Sequence, residues 1–240
     1  MIRAAVLALL SCTAAVAACG GEVSVALDAA TDATADAEVD APSPCGTDVA
    51  VDGVYVDWDS TTASYAGIGG AAWTVVSPAG GPTVTAEPDG RVHLCISRTS
   101  TTQIDVTHPG YMPARFVADG PAFNAPGVTF AVRGLRTGAG PTSFGVLGEN
   151  FNAAAAQLEV YKVGAPIPLA LQPATNPPQR SYVSDGPDDT TWAAGAAGTL
   201  TLFINRPIVG DSVTLTSTSS FVGPAALPIA AGRFTIAVIR

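Results

Sequence analysis

The sequence predicts an all-β fold: two consecutive β-sandwiches behind an N-terminal leader and a disordered acidic linker. Three observations carry that reading. From residue 45 onward the apolar residues recur with a period of two, the period at which a strand presents one face to a core. Gly, Pro, Asn and Asp clusters interrupt these runs at short intervals, as turns between strands do. One eight-residue strand pattern occurs twice, 108 positions apart. Composition excludes other classes. Of 240 residues, 48% are apolar and 13% charged, against roughly 25% charged in an average soluble domain. Twenty acids face eleven bases, a net charge of −9. No basic footprint for nucleic acid exists, the chain is too apolar to be disordered throughout, and it lacks the Glu, Lys and Leu of a coiled coil.

Residues 1–18 have the pattern of a secretory signal. Arg3 supplies the positive start, Ala4 to Leu10 an apolar run, and small residues follow. The run is too short to span a membrane. Val16-Ala17-Ala18-Cys19 resembles the bacterial lipobox, an apolar residue and two small ones ahead of the cysteine whose thiol is acylated. That resemblance implies Cys19 as the lipidated first residue of the mature chain. The earlier Leu10-Ser11-Cys12 has a shorter apolar run before it and ranks second. Among such signals an acidic residue after the cysteine retains the protein in the inner membrane. Gly20 is not acidic, which implies the outer membrane, on its periplasmic or surface side.

Residues 19–44 form the tether. Glu22, Asp28, Asp32, Asp36, Glu38 and Asp40 lie here with no Lys or Arg, and Pro42 and Pro44 close the segment. Unopposed like charges at a spacing of four repel along a helix. The expectation is a disordered, self-repelling spacer. More than half of the net charge belongs to this stretch, and the folded remainder is only mildly acidic.

The cysteines sort by processing. Cys12 leaves with the signal and Cys19 is acylated, so Cys45 and Cys95 remain in an oxidising compartment and are expected to form a disulfide. Two Cys without a CxxC pair do not make the usual zinc grouping.

Residues 45–137 are the first expected sandwich and 138–240 the second, more degenerate one. Arg91 to Ile96, Gln103 to Thr107, Ser212 to Thr216 and Arg233 to Val238 alternate apolar and polar. Ser77 to Pro82, Glu87 to Gly90 and His108 to Gly110 are the turns. The best helix candidate is Asn152 to Gln157, with its four Ala, and a turn is the alternative there. The repeat sets Gly90-Arg-Val-His-Leu-Cys-Ile-Ser97 against Gly198-Thr-Leu-Thr-Leu-Phe-Ile-Asn205. Val92, Leu94 and Ile96 correspond to Leu200, Leu202 and Ile204.

The first half also carries an ordered set of short motifs. Asp52-Gly53-Val54-Tyr55-Val56-Asp57 is followed by Gly70 to Val75, by Thr85 to Val92, by Ile104-Asp105-Val106 and by Pro109-Gly110-Tyr111. This series, covering about residues 48–118, resembles the carboxypeptidase regulatory-like domain, a transthyretin-like β-sandwich. The segment from Asp59 to Gly69 lengthens the first connection relative to that pattern. The resemblance implies a transthyretin/Ig-like binding or scaffolding module with no catalytic residues to carry over.

The chemistry-bearing residues agree with that implication. No G-x-S-x-G elbow accompanies the serines, and no triad is assigned. His93, His108 and Asp105 do not make up the three or four supported ligands of a zinc site. No metal is assigned. The nearest candidate is calcium at Asp185, Asp188 and Asp189, three oxygens toward a shell of six to eight. The commoner role of such a loop is a solvated turn. Among Trp58, Tyr65, Trp73 and Trp192, Trp73 alternates within a strand and reads as core. Trp58 and Trp192 lie beside loops and are the candidates for stacking on a sugar, although partial burial at the sandwich ends is the commoner role for such residues. The expected protein is non-enzymatic and cofactor-free. It is a cell-envelope lipoprotein acting as a structural or binding module, alternatively a carbohydrate- or peptide-binding partner of an envelope hydrolase. Its partners are the membrane, through the lipid, and an envelope protein or carbohydrate, with no nucleic acid.

Overall fold

The computed structural model describes residues 45–59, 66–79, 84–123, 129–138, 142–164, 166–175, 180–184, 192–195 and 197–240. Its strands are β1 (Val49–Asp57), β2 (Ala72–Ser77), β3 (Val84–Ala86), β4 (Arg91–Ile96), β5 (Thr102–Thr107), β6 (Ala114–Ala118), β7 (Thr129–Gly134), β8 (Ala156–Lys162), β9 (Ala170–Gln172), β10 (Tyr182–Ser184), β11 (Ala193–Ala194), β12 (Leu200–Arg206), β13 (Ser212–Thr216), β14 (Ala226–Pro228) and β15 (Phe234–Ile239). One short helix, α1 (Thr142–Val146), follows β7. The all-β expectation holds. Of the helix and the turn that Asn152 to Gln157 allows, the turn forms, and it precedes β8, which takes up Ala156 and Gln157. The β-branched and apolar residues of β8 are drawn into a sheet core, and this outweighs the helix propensity of the Ala run.

The strands make three sheets. An outer sheet has the order β3-β4-β1-β7, a central sheet β11-β10-β12-β8-β15-β6-β5-β2, and a cap sheet β14-β13-β9. Two cores separate them. Val92, Leu94 and Ile96 of β4 and Phe130 and Val132 of β7 meet Ile104, Phe116, Leu202, Ile236 and Val238 of the central sheet. On the central sheet's other face, Val117, Leu158, Val160, Phe203, Ala237 and Ile239 meet Leu171, Val213, Leu215 and Leu227 of the cap.

The expected boundary at residues 137/138 falls between β7 and α1, and strands from both sides of it share the central sheet. β15 runs parallel to β6, with Ile236 opposite Phe116, and parallel to β8, with Ile236 opposite Glu159. Residues Ala41–Arg240 form one compact unit. The two expected sandwiches are therefore not separate bodies. The repeated octet has a different meaning from a duplicated domain. β4 lies in the outer sheet and β12 in the central sheet, and Val92, Leu94 and Ile96 face Leu202 and Ile204 across one core. Both strands satisfy the same burial demand from opposite walls, so their apolar alternation converges.

The expected turns form where described. Glu87 N–H donates to Arg91 O at 2.8 Å and Gly90 N–H to Glu87 O at 3.1 Å, closing the β3–β4 hairpin. Gly90 has φ +91°, and a Cβ there would lie 2.6 Å from the Ile68 backbone nitrogen. Only glycine meets both demands without strain. Cys45 and Cys95 form the expected disulfide, with Cα atoms 5.3 Å apart. It fastens the start of the described chain to β4, beside the Ala50–Cys95 strand pair.

Candidate functional site

The two tryptophans singled out by sequence meet. Trp58 follows β1, held by its N–H on Gly134 O at 3.0 Å, and Trp192 precedes β11 at the edge of the central sheet. Their rings stack with centroids 5.5 Å apart at 23°. Phe144 of α1 and Phe234 of β15 stand edge-on to Trp58, at 5.8 and 5.7 Å. The Arg133 guanidinium lies 5.3 Å from the Trp58 ring centroid, within cation–π range. Trp58 is thus enclosed, with 7% of its surface exposed, while Trp192 stays half-buried. Of the two candidates, Trp58 is a packing centre and Trp192 is the partner that reaches solvent. The bulk of two indoles in a confined sandwich end drives them together, since stacking removes apolar surface from water.

Beside this cluster lies an ionisable group the sequence did not single out. Glu159 is paired in register with Leu202 and Ile236, so its side chain shares their core-facing side. It is fully buried, and burial raises its carboxyl pKa above the ordinary value while the Arg133 charge pulls it back. Glu159 Oε2 has no hydrogen-bond partner. The strand from Ala156 to Lys162 alternates apolar and polar, and so looks like a strand with one wet face. Burial of both faces removes the water that such a pattern leads one to expect. Lys162, the chain's single lysine, is buried at the end of the same strand, its Nζ donating to Ile167 O at 2.9 Å and Thr201 Oγ1 at 2.8 Å.

A second cluster gathers at the same end of β1, around Asp57. The Asp57 carboxylate accepts from Tyr111 Oη at 2.7 Å and from Arg136 Nε at 2.5 Å. Tyr55 packs against Trp73, His108 and Tyr111, with centroids 6.3, 5.9 and 5.9 Å away. Burial raises the Tyr55 and Tyr111 hydroxyl pKa values, and the neighbouring Asp57 charge adds to both. Trp73 is half-buried against the core, as its alternation suggested. These groups tie the end of β1 to the β5–β6 turn and the end of β7. They supply hydrogen bonds and packing and expose no activated nucleophile.

The remaining polar candidates do not converge. His93 Nδ1 lies 2.6 Å from Asp52 Oδ1 and Nε2 3.0 Å from Glu87 Oε1. Hydrogen bonds to Asp52 and then Glu87 raise its pKa. His108 instead faces two carbonyl oxygens, Pro109 O at 2.8 Å and Gly69 O at 3.2 Å. Asp105 is held by Arg115. Among the described residues no group of three His, Cys, Asp or Glu is placed to hold a metal ion. Cys19, Tyr65 and the calcium candidates Asp185, Asp188 and Asp189 lie outside the described residues.

Fold and clusters together define an all-β, sandwich-like protein stapled by the Cys45–Cys95 disulfide. No protein-family model matches the chain, and no curated protein shows significant sequence similarity to it.

Proposed function

We propose that this chain is a non-enzymatic lipoprotein of the cell envelope, anchored through lipid on Cys19 and displaying its β-sheet body as a structural or binding module. The observation that carries the reading is the join of two features. A lipobox-like Val16-Ala17-Ala18-Cys19 precedes an acidic spacer, and the body beyond it is closed by the Cys45–Cys95 disulfide. Disulfides persist in the oxidising compartments to which such a signal delivers a chain. A single acyl chain binds membrane only marginally, and stable anchoring takes more than one. The diacylglyceryl group of this signal class meets that demand. Gly20 supports outer-membrane sorting, on the periplasmic or surface side.

The test is expression in a Gram-negative host fed an alkyne-tagged fatty acid, followed by membrane fractionation. The full chain should take up label and sediment with outer membranes. Cys19→Ser should lose both properties, and Cys12→Ser should keep both. An unlabelled wild-type chain, or labelled Cys19→Ser, overturns the anchor. Turnover of an envelope substrate that co-purifies with the wild-type chain overturns the non-enzymatic reading.

A second reading is a carbohydrate- or peptide-binding partner of an envelope hydrolase. The half-buried Trp192 ring favours it, since the outer part of a ring backed by Trp58 is a rigid platform. Trp192→Ala should abolish retention on a peptidoglycan or glycan column. Unchanged retention, or none in the wild type, removes this reading and leaves the first intact.

A further inference from the structure

Strand β12 pairs with β8 through Phe203 opposite Leu158, then Arg206 opposite Ala156. Three steps on β12 thus span two on β8, a β-bulge. Asn205 forms it with φ +53°, a left-handed conformation that Asn tolerates better than most residues. The bulge is held from several sides. Asn205 N–H donates to Gln157 Oε1 at 2.7 Å, and Asn205 Nδ2 to Asn150 O at 2.6 Å. Asn205 Oδ1 accepts from Asn152 N–H at 2.9 Å and from Gln157 Nε2 at 3.0 Å. A strained residue fixed by four hydrogen bonds has a set orientation.

The consequence falls on the next residue. Without the extra step Arg206 would share a face with Leu202 and Ile204. With it, Arg206 pairs beside Ala156 and enters the layer between the central sheet and the cap. Its Nη2 donates to Pro173 O, just past β9. Arg206 is 1% exposed, yet its Nε and Nη1 have no hydrogen-bond partner. Those atoms carry three of the five N–H donors of the group. Burial alone acts on its pKa, lowering it, and no carboxylate offsets the effect. Thr175 Oγ1, two residues beyond Pro173, is likewise buried without a partner. Pro173, whose carbonyl the guanidinium meets, is exposed, as are Ala174, Pro207 and Ile208.

An always-charged guanidinium is costly to bury without a counter-charge, and a bulge that aims it there needs a use. We propose that Arg206 anchors a site for a small oxyanion, a carboxylate or a phosphate group, reached from the surface beside Pro173 and Pro207. The open N–H groups bind the anion by charge-assisted hydrogen bonds. This site stands independently of the envelope anchor and of Trp192.

The experiment is thermal unfolding of the purified full chain at constant ionic strength, with chloride replaced stepwise by acetate or by inorganic phosphate. Wild type should show a saturable rise in Tm. Arg91→Met, which removes an exposed arginine (71% side-chain exposure), should show the same rise. Arg206→Met should weaken the response at least about tenfold. Response to acetate alone assigns a carboxylate, and to phosphate alone a phosphate. A flat wild-type response, the result if water alone fills the site, overturns the proposal, as does an equal response in Arg206→Met. If Arg206→Met does not fold, the Arg206 Nε–H resonance of the wild type decides. A saturable shift with either anion supports the site, and an unmoved resonance overturns it.

Discussion

The two halves of the central sheet carry strands of similar make-up in different surroundings. On one side, β2 and β5 alternate regularly between core and solvent. Their outer face carries Thr74, Gln103 and Asp105, and the charges pair there: Arg115 Nε and Nη2 donate to Asp105 Oδ1 and Oδ2 at 2.7 and 2.9 Å. On the other side, β8, β12 and β15 are buried almost throughout, because the cap sheet covers the face that β2 and β5 leave wet. Polar residues in this half must find partners inside. Thr235 Oγ1 donates to Pro228 O at 2.7 Å, Lys162 to Thr201 and Ile167, and Gln157 to Asn205. The difference teaches that alternation fixes which residues face a core but not what lies behind the strand. An antiparallel strand with one wet face and a strand sandwiched between two sheets can share a pattern.

The largest expected contrast is in packing. Phe203→Ala empties the layer under the cap and should cost about 3–5 kcal/mol. Thr74→Ala, on the wet face, should stay within about 0.5 kcal/mol. Denaturant midpoints at constant slope measure both. Equal costs would break the comparison, because they would mean that the cap contributes no more cover than water.

The second contrast is between buried and exposed charge. Arg133→Met leaves Glu159 buried without the cation that opposes its desolvation, and should cost about 3 kcal/mol at neutral pH. The sign with pH follows from the raised Glu159 pKa. A carboxyl that is harder to ionise in the folded state destabilises that state as pH rises above its unfolded value, about 4.3. The loss in Arg133→Met should therefore shrink toward low pH, where Glu159 is neutral in both states. Glu159→Gln should remove the pH-dependent part of this penalty. A loss in Arg133→Met that is the same at pH 4 and pH 7 would mean that packing on Trp58, not charge, is what Arg133 supplies.

How much of this was legible follows from the same physics. β4 and β5 were readable because water contacts one of their faces and the polar residues mark it. The disulfide was readable because the signal-like start sets Cys12 and Cys19 apart in expectation, which leaves Cys45 and Cys95 as the pair. The central sheet was not, since β15 joins β6 and β8 by parallel pairing across 120 and 77 residues of sequence, and no local pattern specifies a distant partner. Trp58 and Trp192 were found as a pair of candidates, but their stacking depends on α1 and β11 closing over the same end. The buried roles of Glu159, Lys162 and Arg206 were hidden. Gln157, Glu159 and Lys162 sit in a strand that looks half-wet, and the Asn205 bulge that re-aims Arg206 leaves no mark in apolar periodicity.

The smallest expected effect sharpens the comparison from the wet side. Arg115 and Asp105 are well aligned, with side chains 15% and 28% exposed, and Arg233 Nη1 lies 4.0 Å from Asp105 Oδ1. Burial pushes the Asp105 pKa up, but the Arg115 hydrogen bonds and the charges of Arg115 and Arg233 outweigh it and hold the carboxyl below its ordinary value. A depressed folded pKa gives stability that is present above the unfolded value, about 3.9, and is lost as pH falls through the folded one. Arg115→Met should cost about 1 kcal/mol at neutral pH, and its cost should fade in acid, with Arg233 retaining part of the effect. Acid titration of unfolding free energy for wild type and Arg115→Met checks this. The prediction has the same sign with pH as that for Arg133→Met but a different origin. Arg115 favours the ionised form of a carboxylate that solvent already reaches, whereas Arg133 offsets the cost of hiding one from solvent. Added salt separates them: it should weaken the Arg115 effect, which lies near water, and leave the Arg133 effect nearly unchanged.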